Sequence, residues 1–463
     1  MARKYQVDMT TGPLLGKIIK FAIPLMMANA MSLMFNAADL IVLGRFAPDS
    51  MAAVGAAPSF TTLMLNLFWG IASAVNVLAA RYTGAKDRIN VFRTVHTSIT
   101  VSIIGGFTMG LLGVLLTKPM MQWMKVPAEI FDDACLYVWI WCLGIPFMII
   151  FSFGSAILRA IGDTRRPLIY MVVAGIINVI LNIFFVVICK MDVAGVAIAT
   201  KFANFLTAVL VLIALTKTRE QYRLRWKKLH IKWNILKEML RIGVPAGAQG
   251  MLYSVSNILI QSTLNSFGAD AIAGSTAALS LESIVHVAFG AFGLAVVSFV
   301  GQNHGADKPR RVIRSIWLCL GCGFVTAVVL GGLELIFKRQ LLGIYNSNLK
   351  VIEWGVLRMN YQLTFYFMLA FLEILAGALR GLGHSFVPTV ISLMGTCVFR
   401  VIWIFFIFPK NPCMENLMIS YPISWVMICL GNGTLLFCIC RKMVKEHDRL
   451  AALPVSPLLL KKS

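Results

Sequence analysis

Twelve long apolar stretches, separated by short charged or turn-forming segments, divide the chain. They lie at about 14–43, 51–80, 94–117, 131–158, 167–189, 193–216, 237–265, 272–301, 312–337, 354–379, 388–408 and 417–440. The run from Leu168 to Cys189 holds no charged residue. At about 1.5 Å per residue, a helix of that length crosses the roughly 30 Å hydrocarbon core once. Backbone N–H and C=O groups in lipid must be bonded within their own segment, so each stretch is predicted to be a helix. The first, from about Leu14 to Leu43, is too long for the core of a cleavable signal peptide and is predicted to remain as an anchor and first span.

The pattern repeats. Pro24 and Pro245, Asn36 and Asn257, Asp49 and Asp270, and Phe68 and Phe289 each stand 221 positions apart (245 − 24). So do Ala52 and Ala273, Ala56 and Ala277, Ala57 and Ala278, Gly84 and Gly305, Ala85 and Ala306, Arg159 and Arg380, Gly162 and Gly383, and Pro167 and Pro388. Leu158-Arg-Ala-Ile-Gly-Asp163 thus aligns with Leu379-Arg-Gly-Leu-Gly-His384. Chance matching of apolar letters would not hold Pro, Asn, Arg and Gly in register. Six spans separate equivalent positions. Six is even, so the halves cross the membrane in the same sense, related by an axis along the membrane normal. The expected fold is an all-α polytopic membrane protein of twelve helices in two six-helix bundles. Its parts are an N-lobe at 1–216, a basic linker at 217–236, a C-lobe at 237–441 and a tail at 442–463. Two such bundles leave a central cleft that suits alternating access better than a pore. Gly84 and Gly305 are expected as helix C-caps, and Pro167 and Pro388 as first-turn prolines. Pro24 and Pro245 fall inside spans, where proline kinks a helix or simply packs.

Composition agrees. Hydrophobic residues make up 59% of the chain and charged residues 13%, about half the charge of a soluble protein. The net charge of +22 would suggest nucleic acid in a soluble chain. Here the cations follow topology: Arg3, Lys4, Lys17, Lys20, Arg81, Lys86, Arg88, Arg93, Arg165, Arg166, Lys308, Arg310, Arg311, Arg314, the linker and the tail after Arg441 all fall on one side. The positive-inside bias places both termini in the cytoplasm. The segment Arg219–Arg241, with Trp226 and Trp233 among its cations, is expected to lie as a helix on the inner membrane surface. The ten cysteines are scattered, and the pair Cys319 and Cys322 lies within a span, which favours buried structural thiols over redox or zinc chemistry. No H-E-x-x-H, G-x-S-x-G or phosphate-cradling glycine loop is present, so an enzyme is not expected.

The order and spacing of several short segments resembles the multidrug and toxic compound extrusion (MATE) transporters, and within them the DinF-like branch. These segments are Asp39-Leu-Ile-Val-Leu-Gly-Arg45, Ala80-Arg-Tyr-Thr-Gly-Ala85, Leu158-Arg-Ala-Ile-Gly-Asp163 and Gly195-Val-Ala-Ile-Ala-Thr200. The resemblance implies a V-shaped two-lobe fold in the plasma or inner membrane. It implies export of mostly cationic organic compounds, driven by inward proton or sodium movement, with no cofactor beyond the coupling ion. It also implies an N-lobe ion site joining the span-1 Asp with an Asn, an acidic residue and a Thr. Here these positions hold Asp39, Asn178, Asn182 and Thr200, the second span-5 position being Asn rather than acidic, which weakens the case for sodium.

A carboxylate inside a span is costly and commonly functional, which makes Asp39 the first candidate. Asn178 and Asn182 are one turn apart and share a face. Lys201 is expected either to pair with Asp39 or to snorkel to the outer interface. In the C-half, Glu282 and His286, spaced i, i+4, could form a second proton site or touch substrate. Asn36, Asn257 and Tyr253 are secondary candidates, Tyr253 standing where some relatives carry an acidic residue. Glu373 and Arg400 are expected to pair with each other or with solvent. The 24 Met and 30 Phe suit a cavity for varied apolar molecules, though most must serve packing or lipid contact. The competing transport reading is a lipid-linked oligosaccharide flippase, which calls for a basic cavity; intramembrane charge near the cleft is expected to be acidic or neutral. Partners are therefore small organic molecules, a coupling cation and the bilayer, and no nucleic acid.

The orientation is testable with reporters fused after Ser463. A fluorescent protein that matures only in the cytoplasm is expected to be bright and alkaline phosphatase inactive; the reverse pattern would overturn the topology.

Overall fold

The computed structural model describes residues 5–46, 58–123 and 128–451. The repeat pairs at Asp49, Ala52, Ala56 and Ala57, the cations Arg3 and Lys4, and the tail beyond Ala451 lie outside the described residues. Every regular element among the described residues is helical. The first lobe contains α1 (Leu14–Phe46), α2 (Pro58–Gly84), α3 (Arg88–Trp123), α4 (Ala128–Leu143), α5 (Ile145–Ala160), α6 (Arg165–Asn182) and α7 (Asp192–Lys217). The second contains α8 (Trp233–Asn265), α9 (Ala269–Gly305), α10 (Pro309–Ile336), the short α11 (Lys338–Tyr345), α12 (Leu349–Thr364), α13 (Tyr366–Gly381), α14 (Phe386–Leu393) and α15 (Met414–Ala451). Both α6 and α14 run on through π-helical turns, at Ile183–Ile188 and at Met394–Val398 and Trp403–Ile407.

Nine of these helices are long and apolar enough to cross a membrane, and two bent pairs raise the number to 11 among the described residues. The pairs are α4–α5, bent by 41°, and α12–α13, bent by 47°. Their breaks fall at Gly144 and Phe365, one repeat apart. The twelfth rod, α8, has 33 residues and carries more polar groups because one face lines a cavity. Outward-facing side chains such as Leu115, Trp317 and Phe437, all more than 60% exposed, form an apolar exterior that only lipid covers without penalty. Inside the lobes, Leu78, Ile99, Ile145 and Phe153 fill the first core, and Phe289 anchors the second.

The lobes meet backbone to backbone. A Cβ on Gly84 would lie 1.9 Å from the main-chain oxygen of Gln302, and one on Gly305 would lie 1.9 Å from that of Arg81. Arg81 and Gln302 are themselves repeat partners, so the local symmetry axis runs between α2 and α9. This corrects the capping role expected of the two glycines. The left-handed residues that end these helices are Lys86 (φ 56°) and Asp307 (φ 54°), two positions on. The glycines instead allow the helices to touch. Gly70 plays the same part between α2 and α8, where a Cβ would fall 2.2 Å from the nitrogen of Gly247.

Polar bonds seal the same end, which also carries most of the basic segments. Ser298 Oγ donates to Asn76 Oδ1 at 3.1 Å, and Gln302 Nε2 donates to the Ala160 carbonyl at 2.6 Å. The N-terminal segment straps across both lobes. Val7 N donates to Gly162 O at 3.0 Å, while Asn303 Nδ2 and Arg311 Nε both donate to Met9 O at 3.1 Å. Met9 is fully buried in this strap.

The connection between lobes differs from expectation. Residues 218–232 form no helix beyond a turn at 220–223, where Arg223 N donates to Glu220 O at 3.1 Å, and a three-residue 3-10 turn at Trp226–Lys228, and α8 starts at Trp233. The surface helix fails to form because first-lobe groups capture its backbone and apolar residues. Arg225 N donates to His96 Nε2 (3.0 Å), Lys232 N donates to Thr97 Oγ1 (3.1 Å), and Leu224 and Tyr222 are buried in the first lobe.

Gly84→Val or Gly305→Val should force α2 and α9 apart and lower stability by about 1–3 kcal/mol. Gly321→Ala, whose new Cβ meets nothing within 4 Å, should be neutral or slightly stabilising. Thermal unfolding in detergent measures both; equal melting of all three variants would contradict the close-crossing account.

Candidate functional site

α1, α6 and α7 bring four predicted residues together inside the first lobe. Asn182 Nδ2 donates to Asp39 Oδ1 at 2.5 Å, and Thr200 Oγ1 lies 3.2 Å from Asp39 Oδ2. The Thr200 hydroxyl is also 2.9 Å from the Val196 carbonyl, one turn back on α7. Asn178 lies 3.2 Å from Thr200 Oγ1 and 3.5 Å from Asn182. Turning the Asn178 amide resolves an oxygen-to-oxygen contact: its nitrogen then donates to Asp39 Oδ1 at 3.0 Å and its oxygen accepts from Thr200 at 3.2 Å. The spacing of Asn178 and Asn182 puts both on the face of α6 that meets α1. Asn182 is fully buried, and its Oδ1 has no partner among the described residues. One carboxylate ringed by neutral oxygens and amides can hold a proton or a monovalent cation. No group of three or more His, Cys, Asp or Glu side chains that could hold a metal ion occurs among the described residues.

Lys201 follows neither expectation. It forms no ion pair with Asp39, and it does not snorkel, being only 8% exposed. Its Nζ sits 4.4 Å from the centre of the Trp141 ring and 3.8 Å from Met148 Sδ. Its aliphatic stem crosses the bend at Gly144, where a Cβ would stand 2.1 Å from Lys201 Cδ. The missing Cβ at Gly144 therefore makes room for the lysine, and the aromatic face lies beside its ammonium group. Asn36, one turn before Asp39 on α1, is exposed.

The second lobe lacks the Asp39 cluster. Its repeat-equivalent positions are Ile260, Phe399, Trp403 and Tyr421. It holds instead a cavity of about 700 Å³, lined by Tyr253, Asn257, Glu282, His286, Arg358, Glu373, Arg380 and Arg400 among others. Glu282 and His286 share a face of α9 as expected, but do not act as a pair. Arg358 Nε and Nη2 grip Glu282 Oε1 and Oε2, both at 3.0 Å, while His286 Nε2 lies 3.2 Å from Glu373 Oε1. The planar two-point match of guanidinium and carboxylate outcompetes a single contact to imidazole. Glu373 and Arg400 do not pair either: Arg400 bonds to Ser424 Oγ at 3.3 and 3.2 Å and lies 4.2 Å over the Tyr421 ring. The expectation of an acidic or neutral cleft is thus corrected: three arginines face two glutamates. Arg358 and Arg380 were missed as site residues because each lies near the end of an apolar stretch, where a snorkelling cation is ordinary. The one earlier signal was the Arg159–Arg380 repeat match.

Two repeat-related helical lobes, sealed at one end and holding polar sites between helices, define a membrane carrier rather than an enzyme. The chain belongs to the MatE family, whose model matches residues 24–184 and 245–406, two segments that begin one repeat apart. It is similar to the probable multidrug resistance protein NorM of Thermotoga maritima, with 26% identity over 392 residues, 83% of this chain and 84% of that one. It is also similar to the probable multidrug resistance protein YpnP of Bacillus subtilis, with 26% identity over 406 residues, covering 85% and 88%. Its fold matches a crystal structure of MATE in the straight conformation with a TM-score of 0.88 at 20% identity, covering 94% of this chain and 98% of that one. This is a multi-pass membrane transporter.

The Glu282–Arg358 pair is 2% and 6% exposed. Arg358→Met alone should destabilise by about 3–5 kcal/mol, since it leaves a buried carboxylate unpaired. Adding Glu282→Met should recover most of that loss. A melting series in detergent that found the double variant as unstable as the single would refute the pairing argument.

Proposed function

We propose that this chain is a secondary active antiporter of the cell membrane, with both termini in the cytoplasm. It exports organic drugs or toxic compounds in exchange for protons or sodium ions, by alternating access. The names of the NorM and YpnP relatives support drug export as the activity. The observation that carries the coupling reading is the Asp39 cluster: one carboxylate, three hydrogen-bonding neighbours and, among the described residues, no cation within ion-pair distance.

The ionised Asp39 accepts from Asn182 and the turned Asn178, and Thr200 has one proton to give, to Asp39, to the Asn178 oxygen or to Val196 O. A protonated Asp39 must donate at one oxygen. An amide NH2 cannot accept, so one of these contacts has to break or reverse. Thr200 can accept, because its own proton can pass to Val196 O. Loading Asp39 therefore alters how α1 is held by α6 and α7. α1 also reaches the other lobe, with Phe21 edge-on to Phe299 at 5.6 Å between ring centres. Pro24 lies between Asp39 and the sealed end and removes one backbone bond there. A change at Asp39 can thus be felt where α1 meets α9, and opening that end requires α2, α8 and α9 to separate at their glycines.

The flippase reading is not favoured. The cavity does carry the basic charge such a protein would need, but the relatives are named as multidrug resistance proteins.

In proteoliposomes, a pH or a sodium gradient, imposed separately, is expected to drive movement of a fluorescent organic cation. Asp39→Asn should abolish it while leaving the protein folded. Coupled transport that survives Asp39→Asn would remove Asp39 as the carrier of the ion.

A further inference from the structure

The second-lobe cavity carries more buried positive charge than it can neutralise. Arg358 is the internal standard, because its guanidinium is closed off by both oxygens of Glu282 at 3.0 Å. Arg400 is more deeply buried, at 2% exposure, yet bonds only to the neutral Ser424 hydroxyl. Arg380 Nε is buried with no hydrogen-bond partner among the described residues, but so is Nε of its repeat partner Arg159, so that feature is common to both lobes and Arg400 alone of the two is particular to this cavity. The one remaining carboxylate lining the cavity among the described residues, Glu373, is held by His286 at 3.2 Å and lends its charge to Arg380 rather than to Arg400. An ion removed from water is costly unless it is paired, so a lone buried guanidinium facing a cavity is a binding group awaiting its counter-ion.

The walls indicate what carries that counter-ion. Tyr366, Tyr421 and Trp425 form a run of rings with centres 6.0 Å apart, and Tyr421 also holds Arg400 from beneath. Trp69 and Tyr253 complete the lining. A volume of about 700 Å³ is of drug size. The repeat-equivalent of Arg400 in the first lobe is Val179, so this arrangement belongs to the second lobe alone.

We propose that the second-lobe cavity binds planar aromatic anions, with Arg400 receiving a carboxylate or similar oxyanion while the aromatic wall covers the ring. This rests on the exporter reading and widens its substrate class: compounds that carry a negative group, alone or as part of a zwitterion, bind in this cavity in addition to the cations. Arg358, already satisfied by Glu282, holds the wall in place.

The test uses the full chain in detergent and follows fluorescein binding by fluorescence polarisation. Competitors are 2-naphthoate and 2-naphthamide, which match in shape and differ in charge. The acid is expected to displace fluorescein at a concentration about tenfold or more below that of the amide. Arg400→Met should weaken fluorescein binding by about tenfold or more, and Arg400→Lys should recover part of it. Equal competition by acid and amide in the unaltered protein overturns the proposal, whatever the variants do. So does an Arg400→Met protein that melts normally and binds fluorescein as before. Gradient-driven ethidium flux judges the exporter reading separately. If ethidium moves but the acid has no advantage, only the anion site falls. If the acid is preferred and no dye moves under either gradient, the site stands and the exporter reading falls.

Discussion

The rest of the structure depends on the contact of bare backbone between α2 and α9. Gly84 and Gly305 are placed so that each helix presses on the main-chain oxygen of the other, with Arg81 and Gln302 as the reciprocal partners. Any side chain there would hold the lobes apart. Because there is no hydrophobic drive between helices in lipid, close packing and a few hydrogen bonds must supply the association. Small residues give the first, and the Ser298–Asn76 and Gln302–Ala160 bonds give the second. Such an interface is tight but contains little that is irreversible, which is what a carrier requires of a seal that opens in each cycle.

Around that seal the two lobes share a scaffold and differ in chemistry. The bends at Gly144 and Phe365, the π-helical turns in α6 and α14, and the left-handed Lys86 and Asp307 all recur at the repeat offset or close to it. Apart from Arg159 and Arg380, the buried charged groups do not recur. Asp39 faces amides and a hydroxyl in one lobe, while the equivalent positions in the other are apolar or aromatic. The Glu282–Arg358 pair and Arg400 belong to the second lobe only, whereas an unbonded arginine Nε occurs in both, at Arg159 and Arg380. Duplication preserved what holds the helices together, and ion and substrate handling separated onto different halves.

Lys201 shows how a buried charge is managed without a counter-ion. Trp141 offers a ring face, Met148 a thioether, and the bend at Gly144 the space for the stem. A helix break of this kind looks like a defect when α4 and α5 are viewed alone. The same break recurs at Phe365, where the position equivalent to Lys201 is Pro422, so the lysine on α7 uses a bend that the repeat already provides.

The family resemblance implied the grouping of Asp39 with Asn178, Asn182 and Thr200; the sequence by itself determined the class of fold, the repeat and the prominence of Asp39. Those follow from rules that act along the chain: a span needs an apolar run of fixed length, repeats keep their glycines and prolines in register, and a carboxylate in a span is rare enough to stand out. Pairing was decided only by the tertiary structure. Glu282 and His286 are one turn apart, yet each found a better partner on another helix, and Glu373 and Arg400 are neighbours in a plausible reading but not in space. The basic linker carried the composition of a surface helix and became a strap instead, because His96 and Thr97 offered its backbone bonds that the helix would have had to supply itself. Periodicity shows which face of a helix a side chain occupies. It does not show which of several partners approaches that face, because that depends on crossing angles and close contacts set by residues far away in the chain.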